Sequence, residues 1–219
     1  MKPLCTIRFF SFFLLALLLV QHPAIAQEDL AQNPVNIAFQ TYKTAILNDD
    51  AETAFESVDS NTIQYYADML DYALHLSEEQ TRQLRLIDLL TVLAVRHRVP
   101  DDVARSMNPE TFFKYGVSNG WVGKNSVMGL EVVRVDIDGD FAITRVAANG
   151  VESPAAFHFH REGGTWKLDL TSIMAVSNLA LTQVAEQQGL TEAELLFSLL
   201  ESVSGKKVDE SIWQPINQR

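Results

Sequence analysis

The stretch from Val127 to Met174 holds the only sustained period-two alternation in the chain, and it constrains the fold more than any other feature. Val133, Val135 and Ile137 share one parity, and Phe141 and Ile143 share another after Asp138-Gly139. Phe157 and Phe159 follow, then Trp166, Leu168 and Leu170 after Gly163-Gly164. Residues two apart on a strand face the same side, so each run presents one apolar face and one mixed face. Asp-Gly and Gly-Gly supply the positive φ angles of two-residue hairpin turns, which marks two of the three connections. The pattern predicts a four-stranded antiparallel sheet with one face covered, set between two blocks of helical spacing, and so an α+β fold.

Residues 1–26 read as an export signal rather than as part of that fold. Lys2 and Arg8 form a basic start, and Phe9 to Val20 is an apolar core shorter than the roughly 20 residues a membrane span needs. Ala24-Ile25-Ala26 is a small-residue cleavage site, so the mature chain is expected to begin at Gln27 and to be periplasmic in a Gram-negative bacterium, or secreted. The sole cysteine, Cys5, lies inside the leader, which leaves the rest without a disulfide or a lipidation point. The leader carries two of the 17 basic residues and none of the 28 acidic ones, so the remainder has a charge of −13. Such a surface repels nucleic acid and anionic lipid, and neither is an expected partner, nor is any membrane anchor after cleavage. Residues 27–219 suit one domain.

Helical signals fill both flanks of the sheet. Pro34 suits a first turn, and Ile37, Ala38, Tyr42, Ala45 and Ile46 follow at spacings of three and four, until Asn48-Asp49-Asp50. Ala51 to Ser57 reads as a short helix, and Ser60 or Asn61 as the cap of a third, with apolar residues on two stripes. Ser77-Glu78-Glu79-Gln80 has capping-box spacing and predicts one continuous buried helix to about Val99, before Pro100. Asn108-Pro109-Glu110 starts another helix, and Gly116, Asn119, Gly120 and Gly123 predict a loop holding Trp121, packed rather than exposed. Beyond the sheet, Ala175 to Gln188 and a helix opened by Thr191 to Glu194 lead to a tail expected to dock through Trp213.

Two pieces resemble the NTF2-like superfamily. Tyr42 to Phe55, Tyr-Lys-Thr-Ala-Ile-Leu-Asn-Asp-Asp-Ala-Glu-Thr-Ala-Phe, is similar to its first helix, acidic turn and second helix. Ala156 to Leu170, Ala-Phe-His-Phe-His-Arg-Glu-Gly-Gly-Thr-Trp-Lys-Leu-Asp-Leu, is similar to its final hairpin. The resemblance implies a helical layer packed on a curved four-stranded sheet, wrapped as a cone whose open end is a ligand pocket, an enzyme site or closed. A helical insertion over 77–113 and the helices over 175–204 depart from the minimal pattern.

Candidate chemistry is sparse. Tyr42, Tyr66 and Asp68, with Tyr65 and Tyr72 beside them, have the residue types of an isomerase or dehydratase-like site, a phenol to hold an enolate and a carboxylate to move the proton. Asp88 interrupts the apolar run Leu84 to Val95 and is a second carboxylate candidate, although Arg85 three residues earlier suits a structural ion pair. Tyr65, Tyr72 and Trp121 are the candidates for contact with a ligand. His158 and His160 stand two apart, a spacing metal sites use, yet their parity opposes Phe157 and Phe159 and puts them with Lys167 and Asp169 on a wetter face. No metal or other cofactor is therefore expected. Glycine-rich phosphate loops and nucleophile elbows are absent from the sequence. The favoured reading is non-catalytic binding of a small apolar ligand or an envelope protein.

Overall fold

The computed structural model describes residues 30–121 and 124–219, so the leader, the expected start at Gln27, and Gly123 lie outside the described residues. The fold is α+β. Helix α1 (Pro34–Leu47) opens where the Asn33 side chain accepts the Val35 amide, and α2 (Ala51–Glu56) where Asp50 accepts that of Thr53. Helix α3 (Ser60–His75) is capped one residue earlier than the spacing predicts. Asp59 takes the Thr62 amide, so Ser60 opens the helix instead of capping it.

The predicted long helix is interrupted. The capping box of Ser77 and Gln80 forms, but its helix α4 (Glu78–Thr81) is a single turn, and Arg85 has extended backbone before α5 (Leu86–Arg98) begins. Asp88 thus sits in the first turn of a new helix, where a carboxylate meets the helix dipole favourably, rather than mid-helix. Helices α6 (Asp101–Ser106) and α7 (Pro109–Ser118) follow. Gly116 belongs to α7 and not to the expected loop, because the Asn108 capping box carries the helix on to Ser118. A short α8 (Asn125–Met128) leads into the sheet.

Strands β1 (Leu130–Asp138), β2 (Phe141–Ala148), β3 (Val151–Glu162) and β4 (Thr165–Asp169) form one antiparallel sheet in sequential order. The third connection is Asn149-Gly150, both at positive φ, an Asn-Gly hairpin signal that the strand pattern had left unread. A register shift between Val132 and Arg134 puts Val132 rather than Val133 on the core side. Beyond it Val135 and Ile137 stand opposite the buried Thr144 and Ala142 as their parity predicts, Val135 packed on the core and Ile137, near the strand's end, about half exposed. In β2 the buried residues are Ala142, Thr144, Val146 and Ala147, and the predicted Phe141 and Ile143 lie on the face opposite Ala142 and Thr144. Phe157, Phe159, Trp166 and Leu168 take the core face as expected.

That face is packed against α1 and α2. Phe39 meets Phe157 with ring centroids 5.5 Å apart, and Ile46, Ala54, Phe159 and Leu168 complete the cluster. Helix α5 is the inner helix of the second layer, with Val92, Leu93 and Val95 fully buried against α3 and against the C-terminal segments. Helices α9 (Met174–Gln188) and α10 (Glu192–Ser204) both contact α5. Trp213 is buried beside them, with the Arg82 guanidinium 3.7 Å above its ring and Phe197 against it.

Candidate functional site

The face of the sheet opposite the core is less wet than parity alone predicts. His158, His160, Lys167 and Asp169 do share it, in the register His158 opposite Asp169 and His160 opposite Lys167. But Asp169 is only 6% exposed, and the histidines are partly buried. The cause lies outside the strands. Residues 57–59 run parallel to β4: Val58 bridges Leu168, the Asp59 amide donates to the Leu168 carbonyl at 3.0 Å, and the Leu168 amide donates to Ser57 at 2.9 Å. The segment works as a short fifth strand, and its alternation sends Val58 into the core and Asp59 to the histidine side. A 3-10 turn (Leu170–Ile173) folds over the same end of the sheet, with the Ser172 hydroxyl accepting the His158 amide at 3.2 Å.

The result is a cluster in which one residue before α3 meets two from the β3–β4 hairpin. Asp59, fully buried, accepts the Thr62 amide at 2.9 Å on one oxygen and meets His160 Nδ1 at 2.8 Å on the other. Asp169 caps the 3-10 turn, one oxygen accepting the Thr171 amide at 2.8 Å and its hydroxyl at 2.6 Å. Donor atoms of Asp59, His160 and Asp169 all lie within 4.8 Å of one another. His158 is not among them: its ring packs on Phe141, as does that of His160. The Lys167 ammonium donates to the backbone carbonyl of Glu56, and Glu162 accepts the Ser60 amide and hydroxyl at 3.0 and 2.6 Å. Below them, Phe55, Ile63, Ala67 and Pro109 floor an open cleft of about 490 Å³ that has Asp59, Glu162 and Lys167 on its wall.

The tyrosine constellation is dispersed. Tyr42 is buried in the sheet core, and burial, then the nearby Tyr66, raises its phenol far above the ordinary value. Tyr66 packs edge-on against Phe112, Phe113 and Tyr65, and burial pushes its pKa up to about 12. Asp68 instead accepts from Gln64 at 2.8 Å on the exposed side of α3, one turn along the same helix. No hydrogen bond among the described residues joins it to a tyrosine hydroxyl. Tyr72 packs in the second core cluster, and Trp121 is a packed corner against Phe112 and Tyr115 with Arg98 over its ring at 5.0 Å.

Asp88 is the better connected carboxylate. Arg85 Nε reaches it at 2.7 Å and Nη2 at 3.2 Å, and the Tyr65 hydroxyl donates to it at 3.1 Å. Burial is the main reason that the Tyr65 phenol is raised, so this hydroxyl stays protonated and remains a donor at any physiological pH. Asp88 has its charge matched and its oxygens occupied, which is the structural pairing that the Arg85 spacing predicts.

Reasoning from spacing missed Asp59 and gave Asp169 only a face. The available signal was the aspartate three residues before Thr62, a helix-cap spacing; its meeting with His160 has none, since 101 residues separate them. No family model, curated protein or solved structure matches this chain.

Proposed function

We propose that this chain is an exported, non-catalytic binding protein of the bacterial envelope, built on an NTF2-like cone, and that its partner is a protein rather than a small apolar ligand. The observation that carries the reading is the packing of the sheet's inner face. Phe39, Phe157, Phe159, Trp166 and Leu168, all at most 9% exposed, pack together there, which supports a filled cone over one open to a ligand. A pocket filled by the protein's own aromatic side chains leaves recognition to the outer surface. The rival reading, an isomerase or dehydratase, asks for a phenol and a carboxylate converging on one open site. Tyr42 and Tyr66 lie in packed interior and Asp68 turns outward, which supports binding over catalysis.

Native mass spectrometry of the protein purified from the envelope fraction of cells that make it tests the proposal. The expected spectrum shows the chain with a protein partner and without an organic ligand. A stoichiometric small apolar molecule retained by the chain would overturn it.

A further inference from the structure

We infer that Asp59, His160 and Asp169 bind one divalent transition-metal ion, with zinc the closest chemical match, at the seam between α3 and the last two strands. The three donors come from a helix cap, from β3 and from the end of β4, and they converge within 4.8 Å. Their chemistry, one imidazole nitrogen and two carboxylate oxygens, is a set that zinc accepts with three protein ligands and an open fourth position. Magnesium and calcium prefer all-oxygen surroundings.

Two observations go beyond proximity. The first is charge. Asp59 is fully buried and Asp169 is 6% exposed, yet among the described residues the only basic side chain bonded to either is His160. Lys167, the lysine on the same face, directs its ammonium to the Glu56 carbonyl. Two buried carboxyl groups thus stand beside one imidazole. Buried carboxylates are ordinarily paired or coordinate a metal. A divalent ion neutralises both and leaves the imidazole neutral, as a ligand must be.

The second observation is an unoccupied acceptor. Both hydrogen bonds to the Asp169 carboxylate fall on one oxygen, and the other takes none from the described residues; since no buried polar side-chain atom among them lacks a partner, that oxygen reaches solvent and is free to meet an ion. Ligands at about 2.0–2.2 Å from a tetrahedral ion lie a little over 3 Å apart, so the donors, now within 4.8 Å of one another, must draw in around the ion, and the 2.8 Å contact between Asp59 and His160 gives way to it. The backbone around the cluster is already held by the Thr62 and Thr171 amides and by the bridge to Leu168, which pre-positions the carboxylates. The one-third exposure of the His160 side chain leaves a side from which water can complete the coordination.

The test uses the full exported chain, stripped with a chelator and titrated with zinc chloride alone. One equivalent of zinc per chain should bind, with the thermal midpoint rising as it does. His160→Gln and Asp169→Asn, which keep the size and the hydrogen-bonding edge of each side chain, should each weaken binding by more than about tenfold. His158→Gln should leave it within about threefold of the unmutated protein, because that ring is outside the cluster. Cobalt(II) bound to the unmutated protein provides a readout independent of how the variants fold, and should show the absorption of a four-coordinate nitrogen and oxygen site. Substoichiometric zinc, zinc that survives both substitutions, or a cobalt spectrum of the hydrated octahedral ion would each overturn the assignment.

Discussion

Arg96 donates to the carbonyl oxygen of Trp213 at 3.0 Å from a position only 3% exposed to solvent. The same guanidinium reaches the Tyr72, Ala73 and Leu76 carbonyls at the end of α3, the Thr81 hydroxyl and the Ile212 carbonyl. Every one of these acceptors is a neutral oxygen. Burial, and then the nearby Arg219, draws its pKa down to about 10, which still leaves it charged at neutral pH. The charge is compensated by carbonyls at the negative pole of α3, so one side chain ties α3, α4 and the tail to α5.

Arg96→Met should therefore destabilise the protein by at least about 3 kcal/mol, since it strips a charged donor from several buried carbonyls at once. Arg96→Lys should restore little, because an ammonium cannot span the forked geometry. Urea unfolding followed by circular dichroism measures both. A Met variant within about 0.5 kcal/mol of the parent would contradict the hub role.

Trp213→Ala should cost on the order of 3 kcal/mol, as expected for truncating a buried aromatic side chain, and the indole is 3% exposed under the Arg82 guanidinium. Limited proteolysis should then cut within the 3-10 turn Glu210–Trp213, which the parent protein should resist.

Asp88→Ala should cost about 1–2 kcal/mol, chiefly from the Tyr65 hydroxyl that loses its acceptor in a largely buried place. Arg85→Ala should cost under about 1 kcal/mol, because its side chain is 58% exposed and solvent screens the pair. A double-mutant cycle of Asp88→Ala with Tyr65→Phe should show a coupling of about 1 kcal/mol, and zero coupling would mean that the hydroxyl is satisfied elsewhere.

The capping box at Thr191 predicts a pH dependence. The Glu194 carboxyl is held below its ordinary value, first by the Thr191 amide and then by the Thr191 hydroxyl. A group whose folded pKa is depressed adds stability that is fully present above the unfolded glutamate value and is lost as pH falls through the folded one. The difference in denaturation midpoint between the parent protein and Glu194→Ala should be present at pH 7 and shrink once the pH passes below the ordinary glutamate range. A difference that grew on acidification would reverse the assigned sign.

Local signals carried most of the elements. Ser77, Asn108 and Thr191 cap helices where their spacing announces a start, because capping depends only on a few neighbouring residues, although the helix after Ser77 ends within one turn. Faces of strands were legible where alternation is regular, as at Phe157 and Phe159, and not in β1, where one shifted register exchanges Val133 for Val132. Phe141 and Ile143 misled for a different reason: β2 buries the smaller Ala142, Thr144 and Val146 beside the large Phe157 and Phe159 of β3, and Phe141 packs instead on the rings of His158 and His160 on the other face. The Arg96 hub, and the arrival of Asp59 beside His160 and Asp169, depend on segments that meet only after folding, for which spacing along the chain holds no trace.

The parallel bridge between Val58 and Leu168 also sets an order of events. Thr62 and Leu168, 106 residues apart, share a hydrogen bond across that seam, so the cap of α3 is completed by the last strand. A growing chain that ends before Thr165 has α1 and α2 with their apolar side chains made and no Trp166 or Leu168 to cover them. Contacts of such long range close late and slowly. The N-terminal third is thus held short of a settled state until the sheet is finished, and its window for wrong association lasts as long as the rest of the chain takes to arrive.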